Sequence, residues 1–209
     1  MKHLLIIFSL LLTSVSWSKS IDSKDLVETD GLYYEKYTDK PFTGKVTGAK
    51  QGKIKKGKIK GKWKEYWENG TLKITYTIKK GKKDGEKLWY YENGQLKEKS
   101  NYKDGKLEGE WLWYYKNGQL EYKVNFKDGK EDGVLLFYDE NGQLVEKNNY
   151  KDGKKEGEEL WYYDNGQLWS KSNWKDGIQD GEELRYNENG QLEKTQIYKD
   201  GELIETIQH

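Results

Sequence analysis

Residues 85–108 read GEKLWYYENGQLKEKSNYKDGKLE, and residues 109–132 read GEWLWYYKNGQLEYKVNFKDGKED. The shared frame extends well beyond these two stretches. Asn-Gly occurs at Asn69-Gly70, Asn93-Gly94, Asn117-Gly118, Asn141-Gly142, Asn165-Gly166 and Asn189-Gly190, always 24 residues apart. A leucine follows each of these glycines by two residues, from Leu72 to Leu192. A second glycine series runs from Gly81 to Gly201 and is preceded by Asp in all but its first member; a third runs from Gly61 to Gly181. Chance does not hold such a register over six units, and a fixed period of this length is the mark of a repeat architecture.

Asn-Gly between apolar-rich runs is a strong hairpin signal, because both residues accept the positive φ of a type I′ turn. The glycine-rich stretch from Asp104-Gly105 to Gly109 reads as a second reversal. Each unit is then two antiparallel strands, and the expected fold is all-β: a single-layer antiparallel meander of repeated hairpins with about 12–14 strands. A two-residue loop pairs Glu92 with Gln95, Tyr91 with Leu96 and Trp89 with Glu98. One face then carries Trp89, Tyr91, Leu96 and Tyr102, followed by Trp113, Tyr115, Leu120, Tyr122, Val124 and Phe126, and reads as apolar throughout. The other carries a tyrosine column, Tyr66, Tyr90, Tyr114, Tyr138, Tyr162 and Tyr186, among Lys and Glu. A lone hairpin cannot bury its own face, so neighbouring units must do so, and stability is shared between neighbours.

The period sets the boundaries. Residues 1–18 read as a signal peptide: a short positive start, the apolar run LLIIFSLLL at 4–12, then small residues ahead of a cleavage point after Ser18. A signal-peptide helix is expected there, and export to the periplasm, the cell surface or the medium. Residues 19–30 read as a polar linker. Residues 31–60 form an N-terminal cap with a degenerate half repeat, since Lys53–Gly57 aligns with Thr77–Gly81. Residues 61–204 hold the six repeats (61–84, 85–108, 109–132, 133–156, 157–180 and 181–204), and 205–209 form a C-terminal tail. No later stretch is apolar enough to span a bilayer as a helix.

Composition bounds the chemistry. The chain has 37 basic and 36 acidic residues, a net charge of +1, and no cysteine. Thiolate metal sites, disulfides and Cys nucleophiles are excluded. With one arginine, Arg185, and no basic stripe, nucleic-acid binding is not expected. The two histidines are His3, inside the signal, and His209, the last residue, so no serine has a histidine base to activate it. The aspartates at 104, 128, 152, 176 and 200 recur at turns, where Asp-Gly is expected for backbone reasons, and each offers too few oxygens for calcium. No enzyme, cofactor or metal is expected. Carboxylates are numerous, so a glycosidase-like pair is not excluded by composition.

The unit Tyr-Tyr-x-Asn-Gly-Gln-Leu followed by Tyr-Lys-Asp-Gly-Lys-x-x-Gly, seen at Tyr90 to Gly109, resembles the bacterial variant of the MORN repeat. The resemblance covers about residues 53–204, and Lys40-Pro41-Phe42-Thr43-Gly44 is similar to the lead-in of such proteins. It implies a repeat module, and similarity to antitoxins of the YwqK kind. A kinase name, borne by some relatives, finds no catalytic domain or nucleotide loop here. Three functional expectations follow: a surface for a protein or cell-surface partner; binding of glycans, choline or lipid head groups through the tyrosine column, with peripheral membrane contact; and, by resemblance alone, neutralisation of a toxin.

Overall fold

The computed structural model describes residues 19–209; the expected signal peptide and its helix, 1–18, lie outside the described residues. Apart from one 3-10 turn at Ser23–Asp25, the regular structure is strand. Twenty-one strands share one sheet and two form a separate ribbon. The count exceeds 12–14 because five short strands, such as Lys82–Lys83 and Lys106–Leu107, stand apart from the strands that follow them, and because five more strands precede the repeats.

In the first unit, Lys58–Tyr66 pairs with Leu72–Lys79; in the second, Gly85–Tyr90 pairs with Leu96–Lys103. The pattern continues to Gly181–Tyr186 with Leu192–Lys199. Each second strand also pairs with the first strand of the next unit, as Glu98 does with Trp113 and Lys99 with Leu112. The ladder is therefore continuous and antiparallel through the repeats.

The two kinds of turn are exchanged relative to expectation. At Asn93-Gly94 only the glycine has positive φ, +87°. Gly94 N–H donates to Tyr91 C=O and Tyr91 N–H to Gln95 C=O, so a type I turn is followed by a left-handed glycine. The two-residue turn with both centres at positive φ is Asp104 (49°) with Gly105 (89°), closed by Lys103 and Lys106. An aspartate tolerates that conformation better than most residues, since its short polar side chain bonds locally. The longer Asn-Gly loop pairs Tyr90, not Tyr91, with Leu96. A bulge at Lys97 then restores the expected register, and Trp89 faces Glu98. Leu96 consequently shares a face with Tyr90, which corrects its placement beside Trp89 and Tyr91.

The expected apolar face is also corrected. Glu98, Ser100, Asn148, Glu159, Ser170, Ser172 and Glu183 are buried on it beside Val124, Leu135 and the tryptophans. The burial is supplied by large neighbouring rings; Glu98, Ser100, Glu159, Ser172 and Glu183 find hydrogen-bond partners there, while Asn148 Oδ1 has none among the described residues.

The N-terminal residues do not form a free linker. β1 (Ser20–Asp22) runs parallel to β4 (Gly44–Thr47), placing Ile21 opposite Val46. β2 (Leu26–Thr29) and β3 (Leu32–Glu35) make the separate ribbon, and β5 (Lys50–Lys55) joins β4 to the repeats. Ile21, Phe42, Val46, Ile54 and Trp63 form a buried cluster with Tyr33 and Tyr76 packed on it. The pull of Ile21 into this cluster orders a stretch whose composition is otherwise polar. At the other end, the expected tail is part of a strand, Glu202–Gln208, paired with Leu192–Lys199. Pairing of its backbone outweighs its lack of buried side chains.

Candidate functional site

The face that carries Leu88 and Tyr90, the outer one, is built from two features, and the inner one carries Trp89 and Glu98. Leucine and lysine alternate directly across the ladder: Leu88 faces Lys99, Lys99 faces Leu112, Leu112 faces Lys123 and Lys123 faces Leu136, and so on to Leu184. Glu86, Glu110 and Glu158 pair with Lys99, Lys123 and Lys171. In the fourth unit Val134 takes the glutamate's place. The tyrosine column lies beside this row. Tyr66, Tyr90, Tyr114, Tyr138, Tyr162 and Tyr186 are all half-buried and face Leu72, Leu96, Leu120, Leu144, Leu168 and Leu192. Burial, then Glu86, raises the Tyr90 phenol above its ordinary value. Each of these rings is half-buried opposite a leucine.

The turns carry the joints between units. In the Asn-Gly row, Asn117 Oδ1 accepts from Gln119 N–H at 2.9 Å, and its Nδ2 donates to Glu140 C=O at 2.7 Å in the next unit. Asn69, Asn93 and Asn165 make the same two bonds. Beside them, Tyr91, Tyr115 and Tyr163 donate their hydroxyls at 2.8 Å to the carbonyls of Tyr114, Tyr138 and Tyr186. Asn141 departs: Asp139 replaces the donor tyrosine and accepts locally from Gln143 N–H and then Asn141 N–H, which holds its carboxyl below the usual range. In the tight-turn row, Glu108 accepts from Asp128 N–H at 3.0 Å and Glu156 from Asp176 N–H at 2.9 Å. These carboxylates are spent on backbone of the next unit. Among the described residues, no three His, Cys, Asp or Glu gather as a metal would require.

The inner face is where the units differ. One row across the ladder reads Ile74, Trp89, Glu98, Trp113, Tyr122, Phe137, Glu146, Trp161, Ser170 and Arg185. Trp111 stands edge-on to Trp113 (5.7 Å between centroids), to Tyr122 (5.6 Å) and to Phe126 (5.9 Å). Burial pushes the Tyr122 phenol up to about 12. Glu98, 4% exposed, accepts from Lys87 Nζ at 2.7 and 2.8 Å and from Ser100 Oγ at 2.9 Å. Glu159 is held by Lys155 at 2.5 Å, Ser172 at 3.0 Å and the Trp174 indole at 2.8 Å. Burial pulls that carboxyl upward, but Lys155 and these donors together leave it lowered; burial leaves Glu146, on the neighbouring strand, raised. Two carboxyls pushed apart in this way suit acid–base work in an open cleft. Here the oxygens of Glu159 are already occupied by three donors, and Glu146 accepts from Asn148 Nδ2, so the pair serves the packing.

The bulge places one more residue on this face. Lys97 Nζ sits 4.1 Å from the Trp89 ring centroid, 5.2 Å from Tyr91 and 5.3 Å from Trp113. Bulges re-aim side chains in this way. Sequence reading missed Lys97, because it is an ordinary lysine in a run of charged residues; the signal was its position three residues after Gly94, inside an aromatic frame. The corresponding residues are Lys73, Glu121, Val145, Trp169 and Glu193. A recess of about 430 Å³ opens beside Glu121, lined also by Trp111, Trp113, Tyr122 and Phe137.

The family described as MORN repeat variant matches at residues 59–80, 83–104, 107–128, 131–152, 155–176 and 179–200. No curated protein matches the chain.

Proposed function

The chain belongs to the MORN repeat variant family, and from that premise we propose that it is an exported, non-enzymatic module whose inner face binds a protein or cell-surface partner. The repeats make it a binding scaffold of the kind that stacks supersecondary units into a long surface. One observation carries the finer reading: the joints repeat while the inner-face side chains do not. Position 97 of the second unit is lysine, and its counterparts are Glu121, Val145 and Trp169. Half-buried Trp89 is followed at 24-residue steps by Trp113, Phe137, Trp161 and Arg185. A scaffold alone is satisfied by a regular frame; a surface varied unit by unit is suited to one partner with its own irregular outline. Trp169, 41% exposed in a face of rings, is the kind of aromatic that anchors interfaces.

The test is site-specific crosslinking on the full chain expressed in its source cell. A photoreactive phenylalanine at Trp169 is expected to capture one defined species, competed away by unlabelled protein. The same residue at Lys175, an exposed strand end, is expected to capture none. No species at either position, or the same smear at both, removes the reading. Fractionation with N-terminal sequencing tests export, with a mature start near Lys19 expected; a chain retaining its first 18 residues in the cytoplasm overturns that part and favours the antitoxin-like alternative.

A further inference from the structure

The repeats provide an internal comparison that assigns a ligand chemistry. In the second unit, Trp89, Tyr91 and the next unit's Trp113 surround the ammonium of Lys97. In the first, Lys73 Nζ lies 4.3 Å over Trp67. The face of an aromatic ring attracts a cation through its quadrupole, most strongly for Trp. This chain thus fills its first two aromatic corners with its own lysines.

The third unit keeps the walls and loses the lysine. Trp113, Tyr115 and Phe137 occupy the positions of Trp89, Tyr91 and Trp113, and Glu121 replaces Lys97. Burial first, then Glu121, raises the phenol of Tyr115, and the same two causes raise that of Tyr91, so the carboxylate stands near both rings. Among the described residues Glu121 makes no ion pair. Here the recess of about 430 Å³ opens, with Glu121 on its wall.

The other units do not offer this combination. In the fifth, the Trp169 ring packs 6.5 Å from Trp161 and 6.4 Å from Tyr163. In the fourth, Asp139 replaces the tyrosine wall and Val145 the lysine, and in the sixth, Arg185 and Asn187 replace both aromatic walls.

We propose that the recess at Trp113, Phe137 and Glu121 receives the ammonium group of a lysine side chain presented by a partner protein. The occupant is a lysine because that group already sits in the matching corner one unit away. The carboxylate adds a charge partner that Lys97 lacks at its own position. This deepens the binding-module reading and rests on it, by naming the chemistry that one unit of the inner face recognises.

The test uses the full mature chain and Nα-acetyl-lysine N-methylamide as probe, followed by tryptophan fluorescence and by NMR of the indole N–H signals. A Kd of roughly 1–10 mM is expected, the range that a few cation–π contacts and one exposed charge pair give. Glu121→Lys is expected to seat its own ammonium in the corner and weaken the probe at least tenfold. Glu121→Gln, which preserves the fold if the lysine variant does not, is expected to weaken it about threefold. Lys97→Ala is expected to open the second-unit corner and raise the number of probe molecules bound from one to two. The neutral analogue Nα-acetyl-norleucine N-methylamide is expected to bind at least tenfold more weakly; equal binding overturns the proposal. Choline binding more than tenfold tighter than the lysine probe overturns the choice of lysine. A defined crosslinked partner together with no probe binding removes this inference and leaves the binding module standing.

Discussion

The Tyr115 hydroxyl donates a 2.8 Å hydrogen bond to the backbone carbonyl of Tyr138, one unit further along the sheet. Tyr91 reaches Tyr114, and Tyr163 reaches Tyr186, in the same way. Of the two adjacent tyrosines in a unit, the second therefore contributes a phenol to the joint, and the first contributes a carbonyl.

Tyr115→Phe deletes that donor and leaves the ring in place. The cost is expected to be about 1 kcal/mol, the usual net worth of one hydrogen bond. Tyr138→Phe, whose carbonyl rather than phenol is used, is expected to cost no more than about 0.5 kcal/mol. Urea unfolding of the two variants checks the contrast; equal losses dissolve the division of labour.

Asn117→Asp separates the two bonds of the turn asparagine. The Oδ1 that accepts from Gln119 N–H is retained, while the Nδ2 donor to Glu140 C=O is lost. A loss of about 0.5–1 kcal/mol is expected, since the bond is exposed. Asn141→Asp is expected to be no milder, because Asn141 Nδ2 donates to Asp139 Oδ2 and the variant sets two carboxylates against each other. Hydrogen exchange at the fourth-unit amides is the sharper readout.

Lys87→Met strands the Glu98 carboxylate, buried with Lys87 at 2.7 Å and Ser100 at 2.9 Å. Removing one partner of a buried pair costs about 3 kcal/mol. Adding Glu98→Gln is expected to recover more than half of that, because no bare charge remains. Thermal melts of wild type, both singles and the double variant form the cycle that decides it.

Glu146→Gln is expected to stabilise the protein at neutral pH by about 0.5 kcal/mol, a value discounted for partial exposure. Burial raises the folded carboxyl above its ordinary value. A raised acid binds its proton more tightly when folded, so its penalty grows as pH rises from the ordinary carboxyl value through the raised one. Below that window both states are protonated, and wild type and variant should converge. Glu159, lowered despite burial, works in the opposite direction: its contribution is present above the ordinary carboxyl value and is lost as pH falls through the lowered one. Melting curves of Glu159→Gln and Glu146→Gln across pH 3–8 should therefore diverge in sign.

Gly52→Ala tests the cap. A Cβ at this position would stand 2.4 Å from Trp63 Cε3, in a ring with no solvent exposure. Because that ring is locked among Ile21, Phe42, Val46 and Ile54, a loss of about 1–3 kcal/mol is expected. Gly61→Ala, where a Cβ meets nothing within 4 Å, carries only the backbone strain of its φ of +70°.

The hairpins, the period and the pairing of Trp89 with Glu98 were legible because glycines and apolar residues recur at fixed steps, and a repeated error would have broken every unit at once. The turn types were not. Asn-Gly suits a type I′ turn in isolation, but here the N–H after the glycine is taken by a side-chain oxygen inside the loop, Asn117 Oδ1 on Gln119 or Asp139 Oδ1 on Gln143, and that favours the longer turn. The shift this introduces at Leu96 is undone at Lys97, so the strand body agreed with expectation for a reason the sequence hides. The buried Glu98 and Glu159 were unreadable for a related cause: their partners Lys87, Lys155 and Trp174 become neighbours only through strand pairing. β1 was missed because one buried residue, Ile21, decides it.

Both turn rows reach one unit forward and no further: Asn117 to Glu140, Glu108 to Asp128. Nothing in these joints fixes how many units there must be. A 24-residue block cut out or duplicated in phase would meet the same carbonyls and the same amide N–H groups on both sides. As far as these joints are concerned, the protein can lengthen or shorten in whole steps, and what such a step would have to accommodate is the inner face, where Trp89 meets Trp113 across the same boundary.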